Sequence, residues 1–166
     1  TNTYGQTVFT GVKIALYDTT GDDPVNLETY LVEGQYSYSR VTYDHKAFVY
    51  FAPEGEDFAY IAVPVSIYSD NYYRYSQKMF VFKVYYSGDL ELVAELEHMT
   101  SDSSYFDTIE KAVMIENYIY TLSYSQLQVF NMESDFEFVD GVVYNEVYYR
   151  DYFYTEEPVA TDTQAE

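Results

Sequence analysis

Apolar and polar side chains alternate at every second position along this chain, in runs too short for helices and rich in β-branched and aromatic residues. GVKIALYD, FAYIAVPVSIY, KMFVFKVYY, LELVAELE, KAVMI, NYIYTLSYS, LQVFNM and FEFVDGVVY all show it. A period of two sends successive side chains to opposite faces of an extended backbone, so each run reads as a strand. The segments between them, TTGDDPVN, APEGED, YSDN, YSGD, TSDSS, IEN and ESD, carry the Gly, Asp, Asn and Ser of tight turns. YFDTIEKAVMIEN comes nearest to an amphipathic helix, with Phe106, Ile109 and Val113 on one face. Its Val and Ile content and the Tyr-rich run after it favour a strand there too.

The strands repeat in order. DLELVAELE and DFEFVDGVV share the pattern Asp, apolar, Glu, apolar, Val, from Asp89 and Asp135, 46 positions apart. FVFKV and QVFNM precede them, with Val81 and Val129 48 positions apart, and HKAFVYF and EKAVMIE align earlier through Lys46-Ala47 and Lys111-Ala112. VKIALYDTTGDDPVNLETYLVEG matches the last two strands of such a unit, ALYD standing for FVFKV and NLETYLV for DLELVAELE. Four short strands in roughly 40 to 50 residues is the signature of a β-propeller blade. The expectation is an all-β chain of antiparallel four-stranded blade-like sheets, about two and a half blades of an incomplete ring, with a β-sandwich as the alternative. Residues 1–143 make up the propeller-like domain, with a partial blade at 11–34 and blades at 44–98 and 107–143. Residues 144–154 offer one more strand, and 155–166, acidic and interrupted by Pro158, read as a flexible tail.

Charge narrows the partners. With 28 acidic and 8 basic side chains the net charge is −20, which repels phosphate backbones and anionic leaflets and attracts cations. Nucleic acid is therefore not expected as a partner. No apolar run is long enough to span a bilayer, and none is expected to insert into one. The absence of cysteine excludes disulfides, thiolate catalysis and cysteine-ligated metals.

The Asp44-His45-Lys46-Ala47-Phe48 block and the Ile119-Tyr120-Thr121-Leu122-Ser123 block, together with GVKIALYDTT, YIAVPVSIY, MFVFKVYYSGDLELVAELEH and AVMIENYIYTLSYSQLQVFNM, resemble the C-terminal part of the secreted bacterial and archaeal β-propeller domain family. The likeness covers 11 to 143. It implies export to the cell surface or beyond, a propeller-type fold and no established catalytic activity. The chain departs from the family in its shortness and in its additional tyrosines and acids.

Candidate chemistry is sparse. His45 and His98 are the two histidines, and no nucleophile motif accompanies them. Asp44 and His45, adjacent on a strand, would point to opposite faces, so Asp44, His45 and Lys46 are read as a blade-entrance strand held by polar contacts. Asp18, Asp22 and Asp23 offer hard oxygen ligands to calcium, as do Asp70 with Asn71 and Asp102 with Asp107, though none follows the EF-hand order. No other cofactor is expected. Tyrosine gives stiff contact area with a polar tip and suits half-exposed strands. It is also enriched in interfaces, so Tyr72, Tyr73, Tyr75, Tyr148 and Tyr149 are the candidate contact surface. The expected function is a non-catalytic extracellular structural or binding module, joining other chains or copies of itself through open strand edges and Tyr-rich surfaces, with a glycan as a further candidate ligand. The alternatives are an extracellular hydrolase domain acting on carbohydrate and a calcium-dependent ligand-binding module.

Overall fold

A computed structural model describes residues 10–34, 36–68, 75–98 and 107–145. Within them the chain forms three antiparallel sheets stacked face to face in chain order. The first is a two-stranded hairpin of β1 (Gly11–Asp18) and β2 (Val25–Glu33). The middle sheet runs β4 (Val49–Phe51), β5 (Phe58–Tyr68), β6 (Tyr75–Tyr85) and β7 (Leu90–Leu96), and the two-residue β3 (Tyr38–Ser39) pairs with the far end of β5. The last sheet is the meander β8 (Lys111–Ile115), β9 (Tyr118–Leu122), β10 (Gln126–Asn131) and β11 (Glu137–Val143). Two four-stranded blades preceded by a two-stranded one match the architecture read from the repeat.

The middle sheet is buried on both faces because its alternating residues are apolar in both phases. Tyr60, Ala62, Met79 and Val81 face the last sheet and pack with Ile109, Ala112, Met114, Ile119, Phe130 and Phe136. Their neighbours Val63, Val65, Phe80 and Phe82 face the first sheet and pack with Val12, Ile14, Tyr30 and Val32. Tyr30 meets Phe82 edge to face at 5.0 Å, and Tyr60 meets Phe136 the same way at 6.2 Å. At the turn after β6, a Cβ on Gly88 would lie 3.0 Å from Leu27 Cδ1, so the absence of a side chain lets the first sheet close onto the middle one.

A β-bulge recurs at the same place in all three sheets. Pairing of third to fourth strand slips between Leu16 and Tyr17, between Val81 and Phe82, and between Val129 and Phe130. The extra residues opposite are Leu27, Val93 and Val139, and the last two stand 46 positions apart, the spacing of the Asp-started repeat. A bulge adds one residue and raises the local twist, and it restores both strands to a common face after the slip. Phe82 and Leu92 thus meet in one core, while Val81 and Ala94 meet in the other.

One element differs from the strand expected of it. Residues 45–47 form a 3-10 turn, and the strand begins only at Val49. Asp44 caps that turn, its side chain accepting from the Lys46 N–H at 3.1 Å, while Ala47 N–H donates to Asp44 C=O and Phe48 N–H to His45 C=O. A local cap of this kind competes with ladder pairing, and the alternation of VTYDHKAFVYF hides it. The segments 144–154 and 155–166 lie outside the described residues beyond Asn145.

Polar side chains fix the connections between sheets. Gln77, buried in β6, donates to Ile109 C=O at 3.0 Å and accepts from Ile109 N–H at 2.8 Å, tying the chain just before β8 to the middle sheet. Phe82→Ala should lower unfolding free energy by about 3 to 5 kcal/mol in denaturant titration, whereas Val113→Ala, at an exposed position of β8, should change it by no more than about 0.5 kcal/mol. Gln77→Ala leaves both Ile109 backbone groups without their partner and should cost about 1 to 3 kcal/mol.

Candidate functional site

Two clefts, of about 360 and 370 Å³, lie where the turns of the middle and last sheets meet, and they share Tyr60, Lys83 and Met132. Phe51 and Phe58 from the middle sheet wall the first, with Glu56 on the loop between β4 and β5. Glu116 and Asn117 of the β8–β9 turn and Glu133 after β10 close it from the last sheet. Glu91, Asp135 and Phe136 line the second.

Lys83 is the one basic residue among those lining either cleft. Its ammonium sits 4.4 Å above the Phe58 ring centroid and 5.7 Å from that of Tyr60, a cation held by ring faces. Phe58 in turn meets Tyr60 at 5.2 Å and Tyr85 at 5.8 Å, both edge to face, and the Tyr85 hydroxyl donates to Glu91 Oε2 at 2.7 Å. Burial raises the Tyr60 phenol above its ordinary pKa, and the negative charges of Glu56 and Glu133 push it further in the same direction. The cleft therefore joins an aromatic floor to a negative field.

Three of the four non-glycine residues with positive φ among the described residues stand at these clefts: Glu116 (53°), Asp135 (53°) and Phe136 (56°). Left-handed backbone is costly for such side chains and persists where packing over-determines it. Here the buried Phe136 ring anchors the turn and its neighbour Asp135 is presented outward.

A second polar cluster is buried beneath the last sheet. The Asp107 carboxylate accepts from the hydroxyls of Ser123 and Ser125, and from the Ser125 N–H at 3.2 Å. His98 is fully buried, its Nε2 2.6 Å from Thr121 Oγ1, and its Nδ1 meets no partner among the described residues. Thr121 and Ser123 belong to the IYTLS block, so that motif supplies the polar pins of the last sheet. The cluster is buried and ties the chain before β8 to the turn between β9 and β10.

For this stack of a two-stranded hairpin and two larger antiparallel sheets, a family comparison decides the class: the model described as "Beta propeller domain" matches residues 1–134. The chain belongs to that family. No curated protein and no solved structure matches it. β-Propeller domains commonly serve as protein-binding or structural modules. No helix among the described residues is long and apolar enough to cross a membrane.

Asp44 is occupied by its cap and by Arg40, whose Nε lies 3.4 Å from Asp44 Oδ2 and whose Nη1 reaches Glu110 at 3.6 Å, while His45 is exposed. This triplet is a turn pinning the blade entrance. Asp18 accepts from the Thr20 N–H at 2.8 Å, and Asp22 and Asp23 lie exposed on the same loop. Among the described residues no three His, Cys, Asp or Glu side chains gather closely enough to hold a metal. Tyr75 is half-buried, its hydroxyl 3.1 Å from Ser66 Oγ and 3.3 Å from Thr108 Oγ1, its ring against Tyr68 at 5.1 Å. Tyr72, Tyr73, Tyr148 and Tyr149, and the loop residues Asp70, Asn71 and Asp102, lie outside the described residues. Sequence reasoning missed Lys83, although a lone charge inside the apolar run FVFKV was a visible signal, and it read IEN as a turn without placing Glu116 at a cleft.

Burial lowers the His98 pKa to about 4, with the Asp107 charge acting in the opposite direction. The unfolded chain takes up this proton near pH 6.5 and the native chain only near 4, so the contribution is complete above pH 6.5 and lost as pH falls to 4. The expected loss is about 3 kcal/mol. His98→Leu should show a correspondingly shallower fall in chemical stability between pH 6.5 and 4 than the parent chain, measured by urea titration.

Proposed function

We propose that this propeller domain is a non-catalytic extracellular binding module that holds other protein chains through acidic, aromatic surfaces. The observation that carries the reading is the Lys83 ammonium over Phe58 and Tyr60 inside a cleft rimmed by Glu56, Glu116 and Glu133. The chain's own ammonium over these rings supports a preference for positive charge here, and the surrounding carboxylates would favour a lysine or arginine side chain of a partner. A net charge of −20 steers basic partners toward the domain over distances beyond contact. β11, which among the described residues stands at the edge of its sheet and is exposed along its whole length, adds a row of backbone groups that an extended partner segment can pair with.

Fluorescence anisotropy with a labelled lysine- and arginine-rich peptide, an acidic peptide of equal length and neutral oligosaccharides tests the reading. The basic peptide should bind, more weakly as salt rises. Glu56→Gln with Glu133→Gln should weaken binding by about threefold or more, the scale of one to two exposed charge contacts. Equal affinity for the acidic peptide would sink the proposed partner chemistry, and release of new reducing ends from the oligosaccharides would overturn the non-catalytic assignment.

A further inference from the structure

Lys83 lies in the phase of Met79 and Val81 on β6, where the face that packs on the last sheet runs out of its core and opens into the two clefts. Across the register Tyr60 stands opposite it on β5 and Glu91 opposite it on β7. Opposed residues on neighbouring antiparallel strands are about 5 Å apart, so an ion pair between Lys83 and Glu91 is within reach. Lys78, on the same strand, makes such pairs, holding Glu95 at 2.7 Å and Glu97 at 2.9 Å. Lys83 makes none among the described residues, and its ammonium lies instead over Phe58 and Tyr60.

The ammonium therefore has two seats, ring faces on one side and a carboxylate on the other. Glu91 accepts from the Tyr85 hydroxyl through Oε2, and its Oε1 has no hydrogen-bond partner among the described residues. An exposed cation–ring contact and an exposed ion pair are of comparable strength, and the flexible lysine stem lets one ammonium reach either. The ring seat lies in the cleft rimmed by Glu56, Glu116 and Glu133, where a partner's cation would be drawn, whereas Glu91 lines the adjoining one.

We propose that Lys83 is the internal occupant of this cation seat, and that a lysine or arginine side chain of a partner binds by taking its place over Phe58 and Tyr60 while Lys83 swings to Glu91. The inference rests on the reading of the cleft as a site for basic partners and deepens it by naming the residue that sets the affinity. One positive charge covers the rings before and after the exchange, and a neutral or anionic group lacks the charge to replace it. Apparent affinity is lowered by the fraction of molecules in which Lys83 holds the seat. Lys83 is in this sense a built-in competitor, and the cleft opens fully only to a ligand that carries the same charge.

Two measurements on the full chain test the exchange. In fluorescence anisotropy with the labelled basic peptide, Lys83→Met should bind about two- to fivefold more tightly than the parent, the population factor for one exposed cation–ring contact. Lys13→Met removes the same charge at an exposed position on β1 and should change affinity much less. If Lys83→Met loses its circular-dichroism signature, Lys83→Gln replaces it. In carbon-13 NMR of the chain labelled at its five lysines, the Lys83 ε-methylene signal, identified by its loss in the variant, should lie upfield of the other four because of the rings beneath it. Unlabelled peptide should move that signal back among the others. A Lys83 signal that stays upfield in the saturated complex, a Lys83 variant that binds no more tightly than the parent, or an equal gain in Lys13→Met each overturns the exchange while leaving the binding-module reading in place. A peptide that binds neither the parent nor the Lys83 variant overturns both.

Discussion

Everything in this fold depends on the middle sheet being apolar on both faces. Val81 and Phe82 are neighbours in β6, both fully buried, yet they belong to different cores, one shared with the last sheet and one with the first. A strand with only one apolar phase would leave the stack divided into a hairpin and a sandwich. A hairpin such as β1–β2, with no third strand among the described residues, is marginal alone, so its order derives from Phe80 and Phe82 beneath Tyr30. The bulge keeps this arrangement consistent by returning the fourth strand to the phase of the third after each slip.

The connections between sheets are held by polar side chains because backbone leaving a sheet has donors and acceptors to satisfy. Gln77 serves Ile109 with both ends of its amide, Asp107 gathers Ser123 and Ser125, and the Ser39 hydroxyl donates to Pro64 C=O at 2.7 Å, where proline offers an acceptor and no donor. These contacts are satisfied and shut away from solvent. Lys83 differs from them: it forms no ion pair among the described residues, lies in an open cleft and rests on ring faces. That contrast separates the groups that hold the fold from those free to meet a partner.

The architecture was legible in the sequence because strand alternation and a repeat of about 46 positions survive side-chain substitution. Val93 and Val139 keep that spacing, and the bulge residues they mark are in place. The turn at 45–47 was not legible, since Val41, Tyr43, Ala47, Val49 and Phe51 continue an every-second-residue pattern through it, and only the capping bond of Asp44 reveals the turn. The cleft escaped for a different reason. Its walls come from residues 51 to 60, 83, 116 to 117 and 132 to 133, which no linear motif links; three-dimensional stacking alone brings Glu133 beside Phe58. The positive φ at Glu116, likewise, is a property of the two-residue hairpin between Ile115 and Tyr118.

Charge and hydrophobicity act on different parts of this molecule and respond differently to salt. Attraction of a cationic group to Glu56, Glu116 and Glu133 at the rim of the cleft weakens as ionic strength rises. Burial of Val81 and Phe82 between the sheets contributes roughly 25 cal/mol per Å² of apolar area, a term that salt scarcely weakens. Rising salt therefore acts on what the cleft can hold and leaves the stacked sheets that shape it in place.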